Sequence, residues 1–166
     1  MRVTNMALLN IVKEGDPTLR KVCRPVTEIT PRIIQLLDDM VETLKNANGA
    51  GLAAPQVGIL RRIVVVDTED ELYEMINPEI IFTEGEQQEV EGCLSIPDVW
   101  GITDRPERVR VRAMNRNGEI YEVEGEGLTA RAFCHELDHL DGHLFIDNAI
   151  HILTPDEVDE MFEDRD

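Results

Sequence analysis

Residues 135–139 have the types and spacing of a helical metal site. They read H-E-x-x-H, with histidines at 135 and 139. Positions four apart lie one above the other on one face of an α-helix, so His135 and His139 can bind one ion together. Glu136 projects beside them, where a carboxylate can take a proton from water. Because short motifs also arise by chance, two unconnected histidines remain an alternative interpretation of the pattern alone.

A catalytic metal site usually has three protein ligands and one open position, and two parts of the chain could supply the third. Glu157 and Glu160 follow the motif, in a segment that reads as a separate solvated helix. Cys93 precedes it and is the sharper candidate. Gly92 before it allows close backbone approach, and Pro97 after it interrupts regular strand pairing. A free cysteine can equally be a small, buried apolar residue.

The surrounding pattern predicts the elements that position these residues. A helix begins at Thr30-Pro31, carries apolar residues at helical spacing and stops at Asn48-Gly49. A second helix spans about 128–140, and a capping box at 154–157 opens a short C-terminal helix. Strands are predicted between the helices, at 62–67, 72–77, 108–114 and 119–123, the last two forming a hairpin. This grouping predicts an α+β fold, with antiparallel sheets around a central H-E-x-x-H helix.

Composition limits the classes of partner and the compartment. The length of 166 residues and the 42% hydrophobic content fit a single domain spanning 1–166. The net charge of -18 argues against nucleic acid or an anionic membrane as a partner. Acidic runs at 84–91 and 156–166 read as solvated surface. With three cysteines, no secretory signal and no long apolar run, we expect a reducing cytoplasm and no membrane span.

Three segments together resemble the signature motifs of peptide deformylases, and the resemblance covers most of the chain from about residue 16 to 150. The segments are Gly49-Ala50-Gly51-Leu52-Ala53-Ala54-Pro55-Gln56-Val57-Gly58, Glu91-Gly92-Cys93-Leu94-Ser95 and His135-Glu136-Leu137-Asp138-His139. The resemblance implies that Cys93, His135 and His139 hold the metal and that Glu136 is the general acid and base. It also implies that the Gln56 side chain and the Leu94 N–H contact the formyl oxygen of the substrate. Without the resemblance, Gln56 would be read as a surface amide.

The same resemblance implies an activity, a cofactor and a substrate. The enzyme would remove the formyl group from the N-terminal methionine of nascent polypeptides, at the ribosome exit. Its metal would be Fe(II), for which Zn(II), Ni(II) or Co(II) can substitute. The substrate would lie beside Gly49 and Gly51 as an added strand. Ala50, Leu128 and the apolar face of the second helix would line the methionine pocket.

The chain departs from the family pattern at two positions, and two other functions stay open. Cys134 stands where the family commonly has glutamine, and we interpret it as a packing residue. Trp100 replaces a residue that flanks the peptide in many relatives. Arg105 could contact the peptide, although a surface cation is the default interpretation. The alternatives are an H-E-x-x-H metallopeptidase, which the sequence context of Cys93 disfavours, and a non-catalytic metal-binding or redox-sensing protein, which would not need Glu136.

Overall fold

The computed structural model describes residues 7–68 and 71–163, which form two antiparallel sheets and several helices. The helices are α1 (Pro31–Ala47), α2 (Leu128–Leu140), α3 (Phe145–Asn148) and α4 (Pro155–Glu163), with short 3-10 turns at Pro17–Arg20 and Ala54–Val57. The strands are β1 (Gly51–Ala53), β2 (Ile63–Asp67), β3 (Leu72–Glu84), β4 (Gln87–Cys93), β5 (Ile96–Arg105), β6 (Arg108–Met114), β7 (Ile120–Glu126) and β8 (Ala149–Ile152). The α+β prediction is confirmed. None of the described helices has the length and apolarity needed to cross a membrane.

The larger sheet has the order β1-β2-β3-β6-β7, and its strand β2 is buried on both faces. Alternate side chains of β2 separate the two sides: Val64 and Val66 pack in the cluster that includes α2 residues, whereas Ile63 and Val65 pack against α1. This is the period-two alternation of a strand that is buried on both faces. The β2 part of the larger sheet therefore lies between α1 and α2 and supports the helix that carries the H-E-x-x-H residues.

Helix α2 has the bounds that the sequence predicts, and it is buried around most of its circumference. Ten of its thirteen residues are buried, as expected for a helix enclosed by other elements rather than lying on a surface. It contacts the larger sheet and also β5 of the smaller sheet, whose order is β4-β5-β8. This central position brings the polar residues of α2 into the interior, next to the end of β4.

The other predicted helices and the hairpin are also confirmed. Thr30 caps α1 by accepting a hydrogen bond from the Ile33 N–H, and Asn48 ends the helix in the left-handed conformation, at φ 55°. At the start of α4, the N–H of Thr154 donates to Glu157 Oε1 (3.0 Å), and the Glu157 N–H donates to Thr154 Oγ1 (3.2 Å). These reciprocal bonds are the predicted capping box. Strands β6 and β7 pair in register from Arg108 to Met114.

Two predictions for the strands were incomplete. The strand predicted at 72–77 continues to Glu84, because Asn77 and Pro78 fall in a bulge between two paired stretches of β3 and β6. Strands β4 and β5 were not predicted, and part of the acidic run at 84–91 lies in β4. Pro97 does lie where pairing is irregular, since the register shifts between Glu91 and Cys93.

Candidate metal centre and active site

Three potential ligand atoms converge where β4 ends against α2. The sulfur of Cys93 and one ring nitrogen from each of His135 and His139 all lie within 4.8 Å of one another. Cys93 Sγ is 3.5 Å from His139 Nε2, and the two imidazole ring centroids are 5.1 Å apart. No second cluster of this kind occurs within residues 7–68 and 71–163. One sulfur and two imidazoles form a donor set that suits a divalent transition metal.

A buried ion pair orients the first histidine. The Nδ1–H of His135 donates to Glu91 Oε1 at 2.8 Å, which directs Nε2 towards the cluster. The guanidinium of Arg105 donates to both oxygens of Glu91 at 3.0 Å, and the hydroxyl of Thr103 also donates to this carboxylate. Arg105 makes a further 2.6 Å bond to Asp138. Such partners fix the ring orientation of a histidine ligand.

Two sequence interpretations are therefore wrong. Glu91 was assigned to a solvated acidic surface and Arg105 to a surface cation, but their relative exposures are only 7% and 6%. Burying either charge alone would be costly, and the pair is tolerated because its hydrogen bonds are satisfied. Glu91 is thus a residue of the candidate site that sequence reasoning missed. Its place two residues before Cys93 was the available signal.

The charges around the cluster are strongly coupled. Burial alone would raise the pKa of Glu91, but hydrogen bonds from His135 and Arg105 outweigh it and lower that pKa to about 2. Burial lowers the pKa of His139 well below its ordinary value, and the charges of His135 and Arg105 lower it further. For His135, burial is outweighed by the attraction of Glu136 and by hydrogen bonds to Cys93 and Glu91, so its pKa is raised. Glu91 is therefore negatively charged, and this charge lies next to the Nδ1 atom of His135.

Glu136 lies beside the cluster in a space that only a glycine leaves open. It is buried, and its Oε1 has no hydrogen-bond partner among the described residues. Burial raises its pKa to about 7, which outweighs the attraction of His135. A Cβ atom at Gly51 would lie 2.5 Å from Glu136 Oε2, closer than van der Waals contact permits. The sequence predicted close approach of a peptide at Gly51, and the structure places this carboxylate there.

The two predicted donors to the formyl oxygen lie next to Cys93. Gln56 is buried, so the surface-amide interpretation is wrong. Its Oε1 accepts the Ala53 N–H at 2.9 Å, and its Nε2 points to Ser95 Oγ at 3.1 Å and to Cys93 Sγ at 3.6 Å. Leu94 follows Cys93 in the turn between β4 and β5. These contacts hold the side-chain amide of Gln56 in one orientation, with Nε2 next to Cys93.

A cavity of about 450 Å³ opens onto this cluster. Its lining includes all four residues predicted to contact substrate, namely Gly49, Ala50, Gly51 and Leu128, together with Gln56, Cys93, Leu94, His135 and Glu136. It also includes Arg131, which was not predicted and which donates to the Val90 carbonyl at 3.0 Å. Among the described strands, β1 and β4 are each at the edge of a sheet, and both border the cavity.

The remaining candidates lie apart from the cluster. Cys134 is buried in the core between α2 and the larger sheet, where burial raises the pKa of its thiol to about 11. This environment supports the interpretation of Cys134 as a packing residue. Glu157, considered as a third ligand, instead pairs with His151 at 2.9 Å on the exposed side of α4.

We expect replacement of Glu91 by glutamine to destabilise the protein by about 3 kcal/mol, because it leaves Arg105 buried with half of its charge partners. Glu91 has a folded pKa of about 2 against an ordinary 4.5, so its ionisation stabilises the fold above pH 4.5. That contribution is lost as the pH falls from 4.5 to 2. The measurement is urea unfolding of metal-free wild type and variant across this range.

The exposed neighbour Glu89 provides the control, since Glu89→Gln keeps the same strand and the same change of side chain. Its unfolding free energy should stay within about 0.5 kcal/mol of wild type. A Glu91→Gln variant as stable as wild type at pH 7 would contradict the buried ion pair.

Three convergent potential ligand atoms, a buried carboxylate and an adjoining cavity are the arrangement of a metal-dependent hydrolase. The family model described as polypeptide deformylase matches residues 8–154. The chain therefore belongs to the polypeptide deformylase family. It is accordingly a hydrolase that removes the N-formyl group from newly made polypeptides, and the metallopeptidase and redox-sensor alternatives are not favoured.

Individual relatives match over nearly their whole length. A peptide deformylase of Agathobacter rectalis is 56% identical, covering 93% of this chain and 100% of the relative. One from Caldanaerobacter subterraneus is 54% identical, and the match covers 95% of this chain and 99% of the relative. Among solved structures, a Thermotoga maritima peptide deformylase has a TM-score of 0.84 at 41% identity, covering 86% and 98%. An Acinetobacter baumannii deformylase with Met-Ala-Ser bound also has a TM-score of 0.84, at 34% identity, covering 87% and 99%.

Proposed function

We propose that this chain performs deformylation with one divalent metal ion held by Cys93, His135 and His139, and that Glu136 transfers the protons. The observation that supports this assignment most strongly is the convergence of the three ligand atoms within 4.8 Å, next to a buried carboxylate. The substrates are N-formyl-methionyl polypeptides, which we expect the enzyme to meet in the cytoplasm at the ribosome exit. The products are formate and a free N-terminal methionine.

The residues fit a divalent ion in type and in environment. A thiolate and two neutral imidazoles leave an ion of charge +2 with a net charge of about +1, and this donor set suits both Fe(II) and Zn(II). We assign Fe(II) on the resemblance to the family, with Zn(II), Ni(II) or Co(II) as substitutes. Such an ion, when bound, supplies Lewis acidity that makes water a nucleophile near neutral pH. The hydrogen bond from His135 to Glu91 keeps the ring oriented for it.

Glu136 has the position and the basicity for proton transfer. Its raised pKa, about 7 before any cation is bound, lies close to the value at which a general base and acid works best. The carboxylate accepts the proton of the attacking water and later delivers a proton to the departing amine. Gly51 leaves the space for these positions of the carboxylate. Because burial keeps other water away, the proton passes to the leaving group rather than to solvent.

Two donors stabilise the negative charge that develops on the formyl oxygen. The side-chain amide of Gln56 is held at both ends, since Oε1 accepts the Ala53 N–H and Nε2 donates to Ser95 Oγ, so little reorganisation is needed at the moment of reaction. Its weaker contact to Cys93 Sγ, at 3.6 Å, is the one that donation to substrate would replace. The backbone N–H of Leu94 is the second donor. Losing one such fixed donor typically raises the barrier by about 2.7–4 kcal/mol.

The cavity accommodates the substrate between two strand edges. The substrate backbone can pair with Gly51 at the start of β1 and with the two residues before it, as in other peptides that add a strand to a sheet edge. Ala50 and Leu128 then flank the methionine side chain. The Met-Ala-Ser complex of the Acinetobacter baumannii deformylase supports the proposal that the corresponding cavity here holds the product tripeptide. The net charge of -18 supports the further prediction of no direct binding to nucleic acid.

The test is an assay on two substrates with the metal content controlled. Protein purified without oxygen should release formate from formyl-Met-Ala-Ser and leave casein intact. Removal of the metal with a chelator should abolish release, and addition of Fe(II) or Zn(II) should restore it. Cleavage of casein with no action on the formylated tripeptide would overturn the proposal, and so would full activity in protein shown to be free of metal.

A further inference from the structure

Helix α4 lies outside the residues that match the family model, which end at 154, yet it reaches a side chain that lines the cavity. The ring of Phe162 meets the ring of Trp100 edge to face, with centroids 5.7 Å apart and an interplanar angle of 77°. Trp100 is one of the residues that line the cavity. The final turn of the chain's last described helix therefore touches a wall of the active site.

The indole of Trp100 also packs closely against a glycine of β4. A Cβ atom at Gly92 would lie 2.5 Å from Trp100 Cζ3 and 2.7 Å from Cε3, so only glycine permits this ring position. Gly92 directly precedes Cys93, which places the indole one residue from the metal cluster. The indole therefore packs against both Gly92 and Phe162 while lining the cavity.

Helix α4 is held in place by contacts of its first turn and of the two residues just before it. The Leu153 N–H donates to the Trp100 carbonyl at 2.9 Å, and Glu157 binds both Thr154 and His151. A helix of nine residues is marginal by itself, and none of its residues is fully buried. Its position therefore depends on these anchors and on the ring contact of Phe162.

We propose that Phe162 is a positioning residue that holds Trp100 against Gly92, and that Trp100 forms an apolar subsite for a side chain following the N-terminal methionine. The proposal rests on the substrate path described under the proposed function. Aromatic pairs of this geometry stabilise one another beyond the area that they bury. An indole held in this way offers a flat apolar face, which favours an aromatic or large apolar substrate side chain over alanine.

The test compares formylated peptides of the form formyl-Met-Ala-Ala-Ala, in which phenylalanine replaces alanine at the second, third or fourth position in turn. In wild type, phenylalanine at one of these positions should raise kcat/KM about threefold or more. Phe162→Ala should remove this advantage by raising KM for the phenylalanine-containing peptide. In the same variant, kcat/KM for formyl-methionine amide should stay within twofold of wild type. Phe162→Leu should restore part of the advantage.

Phe82 provides the control, because it is similarly exposed, at 38% against 42% for Phe162, and lies on β3 under Arg110. Phe82→Ala should keep the advantage. Trp100 is the one tryptophan of the chain, so its fluorescence gives a readout that needs no turnover. Binding of unformylated Met-Ala-Ala-Ala that carries the preferred phenylalanine should change the emission of Trp100. The Phe162→Ala variant should bind this peptide more weakly.

Three outcomes would overturn the inference: no position in wild type prefers phenylalanine, Phe162→Ala retains the preference, or the variant loses activity equally on formyl-methionine amide. A wild-type enzyme that contains metal but deformylates none of these peptides would instead count against the proposed function. The fluorescence titration would then still decide whether Trp100 and Phe162 form a peptide subsite.

Discussion

Replacing Glu136 with glutamine is expected to lower kcat/KM for a formylated tripeptide by about 10³-fold, within the range of 10²–10⁴ that positioned acid–base groups contribute. Glutamine keeps the volume of the side chain, so the contact with Gly51 is preserved. It can neither accept the proton of water nor deliver one to the departing amine. Since the proposed metal ligands are other residues, the fold and the metal content should not change.

The same variant makes a prediction about pH. Glu136 must be ionised to act as a base, so the wild-type rate should rise with pH through its pKa. That pKa is about 7 without a cation, and a bound cation would lower it. The acidic limb of the wild-type profile should therefore fall at or below about pH 7, and Glu136→Gln should lack it. Exposed Glu86 provides the control, because Glu86→Gln should behave as wild type. Full activity of Glu136→Gln at normal metal content would refute this role.

The second large effect is expected for Cys93. Changing it to serine replaces a soft thiolate with a hydroxyl that binds Fe(II) or Zn(II) poorly. Replacing partners that only support metal ligands costs about 10–100-fold in metal affinity or activity, so loss of a direct ligand should cost more than about 100-fold. After dialysis, Cys93→Ser should contain well under one ion per chain by elemental analysis and should lose activity in parallel.

Cys134 offers a matched control, because it lies next to His135 but packs in the core. Cys134→Ser should retain the metal, with a modest loss of stability from the buried hydroxyl. If Cys93→Ser kept its metal and Cys134→Ser lost it, the ligand assignment would be wrong.

The local elements were predictable because their signals are local. Helix α1 has its cap, its apolar period and its stop within one stretch of sequence, and α2 likewise begins and ends where its pattern indicates. The burial of Glu91 was not predictable in this way. It depends on Arg105, fourteen positions later, and on His135, forty-four positions later. The place of Glu91 two residues before Cys93 was the one available signal, and nothing else about an acidic residue in an acidic run indicates such distant partners, so the sequence favoured a solvated surface.

The residues that the sequence assigned to the candidate site lie together in the structure, whereas the roles of Glu91 and Arg131 and the geometry of the site were not predicted. The H-E-x-x-H spacing places His135 and His139 on one helical face, but only the resemblance to the family singled out Gln56. The structure adds why Gly51 is required, since it leaves room for the Glu136 carboxylate rather than only for a peptide. Close approach between residues from different elements is set by tertiary packing, which spacing along the chain does not encode.

X-ray absorption at the metal edge decides whether Cys93, His135 and His139 hold the ion, because it reports the atoms bound to that ion. Protein purified without oxygen would identify the native metal, and a zinc-loaded sample would give the reference distances. We expect one sulfur at about 2.3 Å and two imidazole nitrogens at about 2.0–2.1 Å, with the sulfur shell absent in Cys93→Ser. A wild-type spectrum with only nitrogen and oxygen neighbours would contradict the assignment of Cys93 as a metal ligand.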